Sequence, residues 1–129
     1  MEAAGIFTFE RLKVWQRSRL LAKKIYEITA LEEFPQNEVF NLISQMRRSA
    51  ISVASNIAEG TVRYTKKDRL RFINVSYSSA VELLNQLIIS FELEYISEEN
   101  YKLLRKKIEE ICAMLSGLRK ATQSNPRLS

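Results

Sequence analysis

Hydrophobic positions along the chain recur every three or four residues, the period of a helix, from about Glu10 to about Thr122. In the first periodic stretch, Glu10 to Ala30, Leu12, Trp15, Ala22 and Tyr26 share one face, with Val14, Leu21, Ile25 and Ile28 beside it. Two apolar seams on one helix imply more than one neighbour. A second helix is expected from Glu38 to Glu59, with Val39, Ile43, Met46, Ala50, Val53 and Ile57 on its seam, and Gly60 is expected to act as a left-handed stop. Thr65 with Asp68 three residues on forms a variant capping box. It opens a third helix, reaching Glu94 and on the order of 45 Å long, with Ile73, Tyr77, Ala80, Leu84, Leu87 and Phe91 in register. Ser97, followed by Glu98 and Glu99, starts a fourth, whose seam is Tyr101, Leu104, Ile108, Ile111, Leu115 and Leu118.

Between the first two helices, Pro35 holds Phe34 extended, and Gln36 or Asn37 is placed to cap the helix that follows. All connections are too short for parallel neighbours over helices of this length. The expected fold is therefore all-α: an antiparallel, up-down four-helix bundle spanning residues 10–122. Residues 1–9 and 123–129 are expected to be flexible ends. Length and composition agree with one domain, since 129 residues with 46% hydrophobic side chains can form one continuous core.

Several functional classes find no support. The chain has no histidine, its three glycines stand apart, and Cys112 is its only cysteine. That leaves no Glu-x-x-His metal motif, phosphate loop, His-assisted nucleophile or internal disulfide. Neither a secretory leader nor a bilayer span is visible, so a cytoplasmic, non-catalytic protein without cofactor or metal is expected. Cys112 is read as a small buried hydrophobe.

Charge adds a positive signal. The net charge is +5, and residues 61–76 carry five basic side chains against one acid. Three basic groups stand out: Arg11, Lys13, Arg17, Arg19, Lys23 and Lys24; Arg63, Lys66, Lys67, Arg69 and Arg71; and Lys102, Arg105, Lys106 and Lys107. Such groups are often only solvated faces, yet three of them on a small domain suit phosphate contacts with RNA or DNA. Tyr64, inside the second group, could stack on an unpaired base or pack under its loop.

The second helix also carries a strip of Gln45, Ser49, Ser52, Asn56 and Glu59, and the third carries Ser76, Ser79, Glu82, Gln86 and Ser90. One reading is mutual hydrogen bonding that fixes helix register or a subunit contact. The other is a ligand site, with Glu59 and Glu82 as paired carboxylates.

Three segments carry a family resemblance: Leu12-Lys13-Val14-Trp15-Gln16, the block from Gln45-Met46-Arg47-Arg48-Ser49-Ala50 to Asn56-Ile57-Ala58-Glu59-Gly60, and the run from Ser79 to Leu87. Together they resemble the four-helix bundle proteins encoded in intervening sequences of bacterial 23S rRNA genes, over about residues 9 to 121. That family is similar to the accessory variability proteins of diversity-generating retroelements. The resemblance implies a homopentamer with a basic surface and proposed nucleic-acid binding, without an established substrate. It places Arg47, Arg48, Asn56, Glu59, Glu82 and Gln86 at motif positions. On this basis Gln45, Asn56, Glu59, Glu82 and Gln86 are expected to organise the bundle or its subunit interface, and Arg47 and Arg48 to pair with those acids or face an anion. The segment Phe72 to Ser79 is more polar than the resemblance leads one to expect. A partner protein is the competing expectation.

Overall fold

The computed structural model describes residues 7–38 and 41–129. Four long helices dominate it: α1 (Lys13–Thr29), α2 (Leu42–Thr61), α3 (Lys66–Glu92) and α4 (Glu98–Gln123), with no strand among the described residues. Two 3-10 turns, Thr8–Arg11 and Gln36–Glu38, precede α1 and α2. Each helix packs against two others, α1 on α2 and α4, and α3 on α2 and α4, which closes a square around the core.

The core is built from the expected seams. Ile43, Met46, Ala50, Val53 and Ile57 of α2 are at most 2% exposed, as are Leu104, Ile108, Ile111 and Leu115 of α4. Val39, expected at the head of the α2 seam, lies outside the described residues. On α3 Ile73, Ala80 and Leu87 of the expected seam are buried, Tyr77, Leu84 and Phe91 are half-buried, and Leu83, which the seam did not include, is fully buried in place of Leu84. Of the two apolar faces of α1, the one made by Val14, Leu21, Ile25 and Ile28 fills the core, whereas Tyr26 on the other face is 41% exposed.

The boundaries show where local rules gave way to tertiary contacts. α1 begins at Lys13 and not at Glu10, because Leu12 is extended after the 3-10 turn. There Phe9 closes on Trp15, ring to ring at 4.9 Å. α2 starts at Leu42, and its flanking residue is Asn41 in place of Gln36 or Asn37. The Asn41 carbonyl accepts the Gln45 N–H, and its Oδ1 accepts from Gln45 Nε2.

Gly60 is not a left-handed stop. It lies inside the last turn of α2, and no glycine among the described residues has positive φ. A Cβ at this position would lie 3.2 Å from the Phe72 Cβ, so the glycine permits close approach of α3. α2 instead ends through i→i+3 bonds from Val62 and Arg63 to the carbonyls of Glu59 and Gly60.

The left-handed residue is Glu94, at φ 64°. Tyr95 N–H reaches the Ser90 carbonyl and Glu94 N–H reaches that of Phe91, the paired bonds of a Schellman closure. A side chain in this conformation costs about 1 kcal/mol or more. Glu94→Gly is therefore expected to stabilise the protein by about 1 kcal/mol and raise Tm by about 4 °C, measured by thermal circular dichroism. Both expected N-caps of the later helices form, with Thr65 Oγ1 accepting from Asp68 N–H and Ser97 Oγ from Asn100 N–H.

The stretch expected to be a flexible C-terminal tail folds back onto α3. Lys66 N–H donates to the Ser129 carbonyl at 2.9 Å, and Lys66 Nζ to the Gln123 carbonyl at 2.9 Å. Thr8 and Phe9, in the expected flexible N-terminal segment, belong to the first 3-10 turn. Residues 1–6 lie outside the described residues.

Candidate nucleic-acid interface

The turn joining α2 to α3 places Arg63, Tyr64, Lys66, Lys67, Arg69 and Arg71 together at one end of the molecule. A half-buried aromatic ring organises this end. The Arg63 and Arg71 guanidinium groups both lie over Phe72, at 4.5 and 4.6 Å from its centroid. Arg69 Nε donates to the Arg63 carbonyl at 2.8 Å, which ties the turn to the helix. Phe72 entered the sequence reading only as part of a polar segment, and its role as a platform for two arginines is visible only in three dimensions.

Tyr64 is 93% exposed, so it does not pack under its loop. It presents a bare ring next to the cations. Lys66, Lys67 and Arg71 line a groove of about 940 Å³ that runs along α3 past Asn74, Val75 and Ser78 to Glu82. Lys67 and Arg71 are exposed, whereas Lys66 is anchored through its bond to Gln123.

The other basic candidates lie on α1, α2 and α4. Arg17 pairs with Glu110 at 3.1 Å, linking α1 to α4. Lys24 lies 3.9 Å from Glu27, while Lys13 and Lys23 are exposed. Arg47 donates to Thr29 Oγ1 at 3.0 Å and lies over the Tyr26 ring at 4.5 Å, so it joins α2 to α1. Arg48 is exposed and reaches only Ser44 of its own helix, at 3.4 Å. Arg105 bonds Tyr101 and Glu109, and Lys106 is exposed. This α4 group lies at the opposite end of α3 from Lys66, because Tyr101 stacks on Phe91.

The two polar strips face each other between α2 and α3. Ser49 Oγ donates to Glu82 Oε1 at 2.9 Å, the hydroxyls of Ser52 and Ser79 are 2.7 Å apart, and Ser76 Oγ donates to the Val53 carbonyl at 2.7 Å. Ser90 Oγ lies 3.3 Å from Met46 Sδ. Partners thus descend along α3 as they ascend along α2. Small hydroxyl side chains let the helices come close, and each bond removes a polar group that would otherwise be buried without a partner.

Asn56 bonds the Ser52 carbonyl and hydroxyl within its own helix, and Gln45 bonds Asn41. Gln86 is 5% exposed, and its Oε1 has no partner. Glu59 is exposed and lines neither the groove beside Glu82 nor the smaller cleft behind it, so the two carboxylates do not converge. No cluster of three or more His, Cys, Asp or Glu side chains suited to a metal ion occurs among the described residues.

Three titratable groups elsewhere are shifted, among them Arg105, raised first by its hydrogen bond with Tyr101. The Tyr95 phenol is raised, first by its hydrogen bond to Glu38. The Cys112 thiol is raised chiefly by burial and secondarily by Glu109, although the residue is only partly buried. A raised pKa favours the unreactive thiol form.

The fold and its polar helix contacts define an all-α protein with four helices, and no described helix is long and apolar enough to cross a membrane. Residues 10–117 match the family model described as 23S rRNA-intervening sequence protein, and the chain belongs to that family. It is similar to a protein of Bacteroides thetaiotaomicron VPI-5482, solved as a crystal structure and described as having unknown function and coming from the S23 ribosomal protein family. The two share 25% identity with a TM-score of 0.75, over 83% of this chain and 98% of that one. No curated protein matches the sequence.

Proposed function

We propose that this protein is a non-catalytic, cytoplasmic, antiparallel up-down bundle that assembles as a homopentamer. It binds RNA or DNA through backbone phosphates as an accessory or architectural factor. The observation that carries this reading is the pairing of an exposed Tyr64 ring, in the turn that leads into α3, with exposed Lys67 and Arg71 on a groove along α3. Cations supply affinity without sequence selection, and a bare ring adds stacking on an unpaired base. The order of contacts between α2 and α3 supports the antiparallel arrangement.

Of the basic candidates that line the groove, Lys67 and Arg71 are exposed and Lys66 is held by Gln123, while Arg17, Arg47 and Arg105 have partners elsewhere in the chain. In fluorescence anisotropy against labelled single-stranded RNA and duplex DNA, replacing both Lys67 and Arg71 with Ala is expected to weaken binding to unrelated sequences alike. It should also flatten the slope of log affinity against log salt by about two. Tyr64→Ala is expected to weaken single-strand binding alone, by about 1–3 kcal/mol. Unchanged affinity and slope in both variants would remove this surface from the reading. Light scattering tests the assembly, with five times the 15.0 kDa chain mass expected.

A second reading, a scaffold that docks a partner protein, draws on exposed aliphatic side chains. Ile51, Val75, Val81 and Leu93 are each more than 40% exposed. In that reading the positive charge serves solubility, and no nucleic acid binds even at low salt.

A further inference from the structure

On the side of α2 that faces α1, Tyr26, Ile43, Ser44, Arg47, Arg48 and Ile51 line an open cleft of about 340 Å³. Its lining holds two guanidinium groups and no carboxylate. Among the described residues neither Arg47 nor Arg48 forms a salt bridge. Acids on the adjoining elements are engaged elsewhere, Glu27 with Lys24, Glu38 with Asn41 and Tyr95, and Glu82 with Ser49.

Arg47 is held in place by neutral groups. It is half-buried, its Nε donates to the fully buried Thr29, and its guanidinium lies over the Tyr26 ring. The remaining contact, from Nη2 to the Tyr26 carbonyl at 3.5 Å, is neutral as well. These partners orient an ion that stays protonated at physiological pH, and they leave its charge uncancelled. The carbonyl end of α1 gives Arg47 a structural reason to be here. It does not account for Arg48, whose one bond is to Ser44 Oγ a turn earlier on α2. Arg47 Nη1 and Arg48 Nε and Nη1 have no partner among the described residues, and Ser44 has its own hydroxyl proton to give.

Two positive charges and several donors, with no acid on the lining, complement a phosphate monoester. At neutral pH such a group carries close to two negative charges on three terminal oxygens, and guanidinium forks bind these oxygens in pairs. A phosphodiester brings one charge and two free oxygens, and a carboxylate one charge in a single plane, so either would leave a guanidinium uncompensated. We propose that the cleft between α1 and α2 is a binding site for a phosphate monoester, held by Arg47, Arg48 and Ser44. It is separate from the groove along α3, with which it shares no lining residue. The monoester can belong to a free nucleotide or to the phosphorylated end of a nucleic-acid strand. Only the second source rests on the nucleic-acid reading above.

Two arms test the site on the full chain. In isothermal titration calorimetry, uridine 5′-monophosphate is expected to bind about tenfold or more tighter than uridine, the scale of one charge-assisted contact. In anisotropy, a uridine decamer labelled at its 3′ end and carrying a 5′-phosphate is expected to exceed its 5′-hydroxyl counterpart by a similar factor. Arg48→Ala, which breaks no bond between helices, should bring both ratios close to one. Replacing Lys67 and Arg71 with Ala should weaken both decamers alike and leave the ratios unchanged. Phosphate dependence in the calorimetric arm assigns the site to a free monoester, and in the decamer arm to a strand end. Ratios near one in both arms, or ratios that survive Arg48→Ala, would overturn the site and leave the nucleic-acid reading standing. If no decamer binds at low salt, the nucleic-acid reading falls and the calorimetric arm alone decides the site.

Discussion

Phe34→Ala is expected to destabilise the protein by about 3–5 kcal/mol, the range for truncating a fully buried aromatic. Phe34 is 1% exposed although it lies in the connection between α1 and α2. Its ring lies 5.4 Å from that of Tyr95, in the connection between α3 and α4. Nearby, Tyr95 donates to Glu38 Oε2 at 3.1 Å, and Ile96 is 4% exposed. The two connections thus meet and plug one end of the bundle. Pro35 contributes by holding Phe34 out of helical geometry, so the ring can turn inward after α1 has ended. Loop residues rarely bury so completely, and a polar substitute would be expected at this place if the connection were only a spacer. Urea unfolding followed by circular dichroism checks the expectation. With a slope of about 2 kcal/mol/M, the midpoint should fall by roughly 2 M. A shift below about 0.5 M would show that the end of the bundle closes without this ring.

This contact also marks the boundary of what the sequence could reveal. The four helices and most of the residues filling their interior were legible because burial on a helix imposes a period that survives in the order of residues, although on α3 the buried Leu83 stands where Leu84 was expected. Thr65 and Ser97 were legible as caps because capping is local. Contacts between distant segments leave no such mark. Nothing near Phe34 announces Tyr95, and nothing near Leu12 announces that Phe9 will close on Trp15 and delay the start of α1. Glu94 took the left-handed position that glycine usually fills because no glycine stood at that end of α3.

The candidate interface divides along the same line. The excess of cations after Gly60 could be counted from the sequence, and the facing strips of α2 and α3 could be recognised by their small polar side chains. Which cations remain available could not be read off, since the partners of Arg17 and Arg47 lie on other helices. The same holds for Lys66, whose ammonium reaches the end of α4. Gln86 was visible as a member of a strip, but its lack of a partner emerges only once its neighbours are placed.

Gly60 gives the sharpest contrast between a local rule and a packing contact, and the two make different predictions. If the residue were a left-handed stop, any side chain there would cost about 1 kcal/mol or more, with little dependence on size. In the helical conformation observed, size decides. Gly60→Ala gains up to about 1 kcal/mol of helix propensity. That gain is offset by the small shift needed to relieve a 3.2 Å approach to Phe72, so a change near zero is expected. Gly60→Leu cannot be accommodated in this way, because Gly60 is buried and α3 stands against it. A loss of about 1–3 kcal/mol is expected from overpacking, measured by urea unfolding of both variants. The strain would fall on Phe72, the ring that carries Arg63 and Arg71, so Gly60→Leu should also weaken nucleic-acid binding at temperatures where the variant is still folded. Equal losses in Ala and Leu would return Gly60 to the role of a backbone stop and detach it from the arrangement of the basic surface.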